Sequence, residues 1–226
     1  MSRDDLLLRD AVCRELVEIA GGDPFHSVLN ASEEHRPVHG VPCGLYPAGP
    51  AVMSLVAQLV RAARAHRVLD LGCGFGYSTL WLAAAAGPSA RITAIDQFTE
   101  HIEQAEAFAE QFGLAGRIEF VVGDVASVLA TLNGPFDLIH DDAWFASAPP
   151  YLEAMLGQLT AGGVVTMANW FLLEDAIVGE ARRDWSELAG PAWAHNVRAY
   201  SHELADRTDL TMTWVVTPPL GIAIRA

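Results

Sequence analysis

The stretch HRVLDLGCGFGYSTLWLAAAA, residues 66–86, decides the fold of this chain. It starts with an apolar, strand-like run at 68–71 and ends with a helix-compatible run at 77–86, so it predicts a strand, a tight turn and a helix. Glycine suits such a turn because it adopts positive φ and lets a ligand approach the backbone. The helix that follows would present free backbone N–H groups, which favour an anionic part of a ligand. The glycines of the turn are Gly72, Gly74 and Gly76.

An acidic residue follows the next strand-like run. Asp96 ends the run at 91–95 and lies twenty positions after Gly76. A carboxylate there is suited to accept hydrogen bonds from two ribose hydroxyls, so the pattern predicts a nucleoside-cofactor site. Dinucleotide-binding proteins carry G-x-G-x-x-G, whereas this chain has tyrosine at position 77. A nicotinamide-dependent dehydrogenase is therefore disfavoured.

The motif D-L-G-C-G-F-G, which begins at Asp70, resembles motif I of the class I S-adenosylmethionine-dependent methyltransferases. The resemblance implies S-adenosyl-L-methionine as the cofactor, bound at the carboxyl ends of the strands. Asp124, after the third strand, either accepts a hydrogen bond from an adenine amino group or caps the helix that follows, and both roles stay open. The candidate cofactor-binding residues are Asp70, Gly72, Gly74, Gly76, Tyr77, Ser78, Asp96, Gln97, Gly123, Asp124, Val125, Asp141 and Trp144.

Length and composition limit the class of protein. The 226 residues fit one domain, with an amino-terminal helix and lid segment over 1–49 and a Rossmann-like core over 50–226. A formal net charge of −14 would repel a phosphate backbone, which disfavours a nucleic-acid partner and favours a small-molecule substrate. The sequence shows neither a membrane-spanning run nor a secretory leader, so we expect a cytoplasmic protein without a membrane partner. A homodimer stays open.

Alternating strand and helix patterns predict an α/β fold, a Rossmann-like, doubly wound and mostly parallel sheet. A helical extension over 4–20 precedes the sheet, and two strands at 210–217 and 221–225 predict a closing antiparallel hairpin. Residues 25–50 show no helical periodicity and contain several prolines, which predicts an irregular, packed lid. The three cysteines lack C-x-x-C spacing, so neither a disulfide framework nor a zinc site is indicated.

The second half of the chain carries a narrower resemblance. Asp142-Ala143-Trp144 after the fourth strand, Gly-Gly-Val-Val with Asn169 at the fifth, and the terminal hairpin resemble the catechol and caffeoyl-CoA type O-methyltransferases. The resemblance runs from about Tyr46 to the carboxyl terminus. It implies a divalent metal ion, held by an aspartate after the fourth strand and an Asp-Asn pair after the fifth, that orients a catechol. Asp142 and Asn169 match the first and last ligand positions.

Two positions depart from that family. The middle ligand position falls on Ala168, which cannot coordinate a metal ion, and the position of the family's lysine base falls on Phe145. No lysine occurs in the chain, whose fourteen basic residues are all arginines. A site with one carboxylate and one amide suits Mg²⁺ poorly. We therefore predict no metal cofactor, with Asp142 and Asn169 as the most that remains of a degraded site.

A histidine of near-neutral pKa could replace the missing lysine as general base. The catalytic candidates are His39 in the lid, His140 at the end of the fourth strand, and Asp142; core packing is the alternative for His140. An aromatic wall around adenosine or substrate is expected from Tyr46, Trp144, Phe145 and Trp170, with core packing again the alternative.

The sequence thus predicts an S-adenosylmethionine-dependent methyltransferase that acts on a small molecule, at oxygen, by in-line displacement. Two alternatives stay open. One is an enzyme that consumes the same cofactor without methyl transfer, by intramolecular cyclisation or lyase chemistry that releases methylthioadenosine. The other is a non-catalytic protein that only binds the cofactor.

Overall fold

The computed structural model describes residues 3–39, 44–143, 149–179 and 185–226. Strands and helices alternate along these ranges and build one sheet with helices on both faces. The strands are β1 (Arg67–Leu71), β2 (Arg91–Asp96), β3 (Ile118–Val122), β4 (Phe136–Asp141), β5 (Leu159–Met167), β6 (Leu210–Val216) and β7 (Pro219–Arg225). The α-helices are α1 (Arg3–Ile19), α2 (His26–His39), α3 (Pro50–Ala62), α4 (Tyr77–Ala86), α5 (Thr99–Gln111), α6 (Val125–Leu129), α7 (Leu152–Gly157), α8 (Phe171–Val178), α9 (Ser186–Ala189) and α10 (Trp193–Ala205).

The sheet has seven strands in the order β3-β2-β1-β4-β5-β7-β6. The first five strands in this order are parallel, and β7 runs antiparallel to both β5 and β6. The predicted Rossmann-like sheet, its closing hairpin and the helix at the amino terminus are therefore confirmed. Strand order reverses at β1 and β4, and ligands of open α/β sheets bind at such a point, outside the carboxyl ends of the strands.

Side chains of β1 alternate between the two faces of the sheet. Leu69 and Leu71 are completely buried in the core on the side of α6, α7, α8 and α10, whereas Val68 belongs to the core beneath α3 and α4. Asp70 shares the face of Val68, which places a fully buried carboxyl under α4. This alternation decides which acidic residues of the strand ends reach the cavity described below.

One predicted segment is wrong. Residues 26–39 form helix α2 rather than an irregular lid, and only the part from residue 44 to Gly49 that the structure describes lacks regular structure. The helix forms because Phe25, Val28 and Ser32 recur at helical spacing and are all buried, and the Ser32 hydroxyl bonds the Val28 carbonyl at 2.9 Å. The prolines and histidines of this stretch had hidden that short stripe of buried residues.

The amino-terminal helices are tied to the body of the protein. Leu6 of α1 is completely buried, and Arg9 pairs with Glu174 of α8 at 2.9 Å. After α1, the carboxylate of Asp23 accepts a hydrogen bond from the Tyr77 hydroxyl at 2.8 Å, at the start of α4. No helix in the described part of the chain is long and apolar enough to cross a membrane.

Candidate functional site

A cavity of about 430 Å³ opens at the carboxyl ends of β1, β2, β4 and β5. Its floor is the glycine turn between β1 and α4, and its two ends lie at β2 and β5, on either side of β1 and β4. Near β2 it is lined by Asp96, Gln97, Phe98 and His101, and near β5 by Asn169, Phe171, Leu172 and Trp185. Among the predicted cofactor-binding residues, those that line the cavity are Gly72, Gly74, Tyr77, Ser78, Asp96, Gln97, Asp124 and Val125.

The three glycines of the turn all have positive φ, with angles of 81° at Gly72, 52° at Gly74 and 85° at Gly76. Gly72 also has no room for a side chain, because a Cβ at this position would lie 2.7 Å from the Ala143 backbone. Gly76 does not line the cavity; its Cβ would meet Ala105 of α5 at 3.1 Å. The first two glycines therefore shape the floor, and the third permits helix packing.

Asp70 is turned away from the cavity, which corrects its assignment as a cofactor-binding residue. Its Oδ2 accepts hydrogen bonds from the hydroxyls of Ser78 at 2.8 Å and Thr79 at 2.5 Å, in the first turn of α4. Burial raises its pKa to about 6, and the two hydroxyl bonds only partly oppose this rise. Asp70 therefore fixes the start of α4 from below.

Asp96 lies at the end of β2 and faces the cavity. Its Oδ2 accepts the Gly74 N–H at 2.9 Å, and its Oδ1 accepts the Phe98 N–H at 2.9 Å and a bond from His101 Nδ1 at 3.1 Å. The carboxylate thus binds the glycine turn to the start of α5. Its place at the cavity agrees with the predicted contact to a ribose.

Asp124 serves as the helix cap that the sequence left open. Its Oδ1 accepts both the backbone N–H and the hydroxyl of Ser127, each at 3.0 Å. The same side chain lines the cavity, as does Val125, so a contact to an adenine is compatible with capping. Gly123 does not line the cavity; its Cβ would meet Val128 at 2.7 Å, so it is required for local packing.

At the other end of the cavity, Asp142 and Asn169 contact each other. The Asn169 amide Nδ2 donates to Asp142 Oδ1 at 2.9 Å, and the Ala48 backbone also bonds this carboxyl. Burial, followed by the negative charges of Asp70 and Asp141, raises the pKa of Asp142 well above its usual range. Ala168 is buried beside this pair.

Asp141 points to the opposite face of the sheet from Asp142 and does not line the cavity, which corrects its assignment to the cofactor. Its Oδ1 accepts the Tyr151 hydroxyl at 2.9 Å and the Ala143 N–H at 3.3 Å. Burial raises its pKa to about 6. It therefore anchors the turn after β4 and the start of α7.

His140 is also misassigned as a catalytic residue. It is completely buried, does not line the cavity, and its Nδ1 contacts the Thr166 hydroxyl at 2.9 Å. Burial lowers its pKa to about 4, so the imidazole is neutral at pH 7. A ring inside the sheet cannot take a proton from a molecule in the cavity, so the structure supports the packing alternative.

The remaining predicted residues divide into three cases. The Tyr46 side chain lines the cavity. Trp170 is buried in the core against Tyr200 and Trp214, so it is no part of the expected aromatic wall. His39 ends α2, but the position of its side chain, like Trp144 and Phe145 as whole residues, lies outside the described part of the chain.

Several cavity residues were missed from the sequence, among them His101, Phe171, Trp185 and Tyr151. His101 lies in the first turn of α5, and its distance from Asp96 by five positions is the only signal that could have indicated it. Phe171 and Trp185 contact each other at 5.1 Å between ring centroids, and Trp185 Nε1 donates to buried Asp175 at 2.5 Å. Tyr151, bonded to Asp141, completes the aromatic lining.

A family model described as a methyltransferase domain matches residues 63–214. The chain belongs to this methyltransferase family. The O-methyltransferase TomG from Streptomyces achromogenes, solved with S-adenosylmethionine, is 27% identical with a TM-score of 0.67, over 80% of this chain and 82% of that chain. The Podospora anserina methyltransferase PaMTH1 has the same fold, with a TM-score of 0.80 at 18% identity, over 100% of this chain and 97% of that chain.

Among curated proteins, a catechol O-methyltransferase of Mycobacterium tuberculosis is 37% identical over 112 residues, 49% of this chain and 51% of that protein. The chain spans about half the length of the curated relatives it matches first. These similarities confirm the predicted class I methyltransferase, its resemblance to O-methyltransferases of the catechol and caffeoyl-CoA type, and S-adenosylmethionine as the cofactor. They do not favour the non-methylating or non-catalytic alternatives.

The residues present fit this cofactor. The first turn of α4 has no side-chain cap and meets the cavity at Tyr77 and Ser78, so its free N–H groups suit the carboxylate of the amino-acid part. Asp96 suits the ribose. A divalent metal ion fits poorly, because Asn169 donates to Asp142 and Ala168 offers no ligand; the described residues contain no group of three or more His, Cys, Asp or Glu that could hold a metal.

Proposed function

We propose that this protein transfers a methyl group from S-adenosylmethionine to a hydroxyl oxygen of a small, uncharged aromatic molecule, without a metal ion. The observation that carries the proposal is the single cavity that joins Asp96 at the end of β2 to Asp142 and Asn169 after β4 and β5. Such a cavity holds a donor and an acceptor side by side across the point where strand order reverses.

The lining near β5 indicates the acceptor class. Tyr46, Tyr151, Phe171 and Trp185 supply ring faces and edges, which suit a planar aromatic acceptor. None of the described cavity residues is arginine, and the chain contains no lysine, so an acceptor that carries phosphates would find no cationic partner there. This argues for an uncharged acceptor over a coenzyme A thioester.

When bound, S-adenosylmethionine supplies an activated methyl group, so the chain has mainly to align the acceptor. Asp142 lies where an acceptor hydroxyl can donate to it, and the Asn169 amide and the Ala48 backbone hold this carboxyl in place. Among the aromatic residues of this end, Tyr151 and Trp185 are buried, which reduces the contact of a bound acceptor with water. His39 stays the predicted general base, and a cytoplasmic location and a homodimer stay predictions from the sequence.

Product analysis tests the proposal. The protein is incubated with S-adenosylmethionine and a panel of phenols, catechols, aromatic amines and coenzyme A thioesters, and the nucleoside products are separated by chromatography. We expect S-adenosylhomocysteine together with a methylated phenol or catechol. Methylthioadenosine as the nucleoside product would support the non-methylating alternative, and binding without turnover on every acceptor would contradict the enzyme assignment.

A further inference from the structure

Asp96 has hydrogen-bonding capacity for only one hydroxyl of a ribose. An ionised carboxylate accepts about two hydrogen bonds on each oxygen. Oδ1 already receives two, from the Phe98 N–H at 2.9 Å and from His101 Nδ1 at 3.1 Å. Oδ2 receives one, from the Gly74 N–H at 2.9 Å, and no other described residue bonds it. A single acceptor position on Oδ2 is therefore left for a ligand.

His101 determines this asymmetry. Because a carboxylate oxygen only accepts, Nδ1 must be the donor of the bond to Oδ1. His101 is 4% exposed, and its ring lies between the rings of Phe75, at 5.5 Å, and Phe98, at 4.9 Å, with His35 of α2 at 5.9 Å. Packing on several sides restricts the ring, which favours the bond to Oδ1 over other orientations of the imidazole.

We infer that His101 is a positioning residue of the cofactor site, which occupies Oδ1 of Asp96 and so restricts the ribose to one hydrogen bond, from one of its two hydroxyls, on Oδ2. This inference rests on the proposed function, because it takes S-adenosylmethionine as the ligand of the cavity. The second hydroxyl must then find another partner or water. Gln97, which lines the cavity directly after Asp96, is the nearest side chain in sequence that could serve.

Binding of cofactor analogues tests the inference without turnover. Affinities of the wild-type protein and Asp96→Ala for S-adenosylhomocysteine and for its 2′-deoxy and 3′-deoxy forms are measured by calorimetry. We expect Asp96→Ala to lower the affinity for S-adenosylhomocysteine about tenfold or more, and to lower the affinity for one deoxy form by the same factor. The affinity for the other deoxy form should hardly change, because that form lacks the hydroxyl that Asp96 binds. Equal coupling of Asp96 to both hydroxyls, or to neither, would overturn the inference.

Two substitutions test His101 itself. His101→Phe keeps a ring against Phe75 and Phe98 but removes the donor, so Oδ1 becomes available. We expect the affinities for the two deoxy forms to differ by about threefold or less in this variant, with a smaller change in the affinity for S-adenosylhomocysteine. His101→Asn places an amide donor near the position of Nδ1 and should restore the difference. A merely structural role would change all three affinities by the same factor.

His202→Phe is the matched control, since His202 is an exposed histidine of α10 that does not line the cavity, and it should leave all three affinities unchanged. Thermal unfolding of each variant shows that it is folded, and the analogue comparison on the wild-type protein needs no His101 variant. Failure of S-adenosylhomocysteine to bind the wild-type protein would contradict the proposed function, whereas binding with two equally affected deoxy forms would contradict only the role of His101.

Discussion

The Asn169 amide donates a hydrogen bond to Asp142 Oδ1 across 2.9 Å, at the place where related enzymes are expected to hold a metal ion. The amide satisfies an oxygen that a cation would otherwise coordinate. Ala168 next to Asn169 adds only a buried methyl group. The pair therefore stabilises the acceptor end by hydrogen bonding within the chain.

Activity should survive removal of divalent cations. Because the pair offers one carboxylate and no second anionic ligand, Mg²⁺ has little to bind. We expect methyl transfer, measured as S-adenosylhomocysteine formed, to be unchanged within about twofold in excess EDTA. Ala168→Asp supplies the missing carboxylate and should bind Mg²⁺ more tightly than the wild-type protein in calorimetry. Complete loss of activity in EDTA, restored by Mg²⁺, would refute metal independence.

Asp96→Ala should weaken S-adenosylmethionine binding by roughly 2–4 kcal/mol. The substitution removes a charged acceptor for the ribose and also leaves the Gly74 and Phe98 N–H groups without their partner. Calorimetry gives the affinity directly. Asp209→Ala is the control, because Asp209 is exposed, pairs with Arg207 and does not line the cavity. If the wild-type protein and Asp96→Ala bound S-adenosylmethionine with equal affinity, the assignment of Asp96 to the cofactor site would be contradicted.

Gly72→Ala should destabilise the protein more than Gly113→Ala. Both glycines have positive φ, 81° and 69°, so both substitutions carry the same kind of backbone strain. Only at Gly72 would the new Cβ meet backbone atoms, at 2.7 Å from Ala143, while nothing lies within 4 Å at Gly113. We expect a difference of about 1–3 kcal/mol in the free energy of unfolding by urea. If both variants lost the same free energy of unfolding, the turn after β4 would be shown to accommodate the Cβ at position 72 without destabilising the fold.

Asp70→Asn should change how stability depends on pH. Burial raises the pKa of Asp70 to about 6 in the fold, above the value of an exposed aspartate, so the folded state binds this proton more tightly than the unfolded state. The wild-type protein then gains stability from this group as pH falls below about 6 and loses it as pH rises. Relative to Asp70→Asn, its free energy of unfolding should drop by roughly 1 kcal/mol between pH 5 and pH 8. Parallel pH profiles for the two proteins would contradict this.

The sequence was sufficient for the fold and for the placement of the glycine turn and Asp96 at the cavity, because these depend on local patterns. The glycine turn and the helix-compatible run that follows it predicted α4 at its observed bounds, Tyr77–Ala86. Asp96 was found because it ends a strand, and strand ends share one edge of the sheet.

The other residues at this edge of the sheet were harder to predict, because their positions depend on which face of the sheet or helix each side chain occupies. Asp70 and His140 are paired in register on neighbouring strands and both lie beneath the edge, whereas the sequence shows only that they stand near it. Phe171, Trp185 and His101 reach the cavity through tertiary packing, which no local pattern reports. Helix α2 was missed because its few apolar positions stand among prolines and histidines.

The hydrogen bond from Tyr77 to Asp23 has a consequence for engineering. The matched family domain begins at residue 63, yet Ser32 and the residues from Gly44 to Ala48 also line the cavity. A shortened protein that starts at residue 63 would lose these lining residues of the cavity and the hydrogen bond to Asp23 that holds the start of α4. Chimeras between homologues should therefore exchange the amino-terminal segment as one unit and keep a matched pair at positions 23 and 77, because this segment contacts both α4 and the glycine turn.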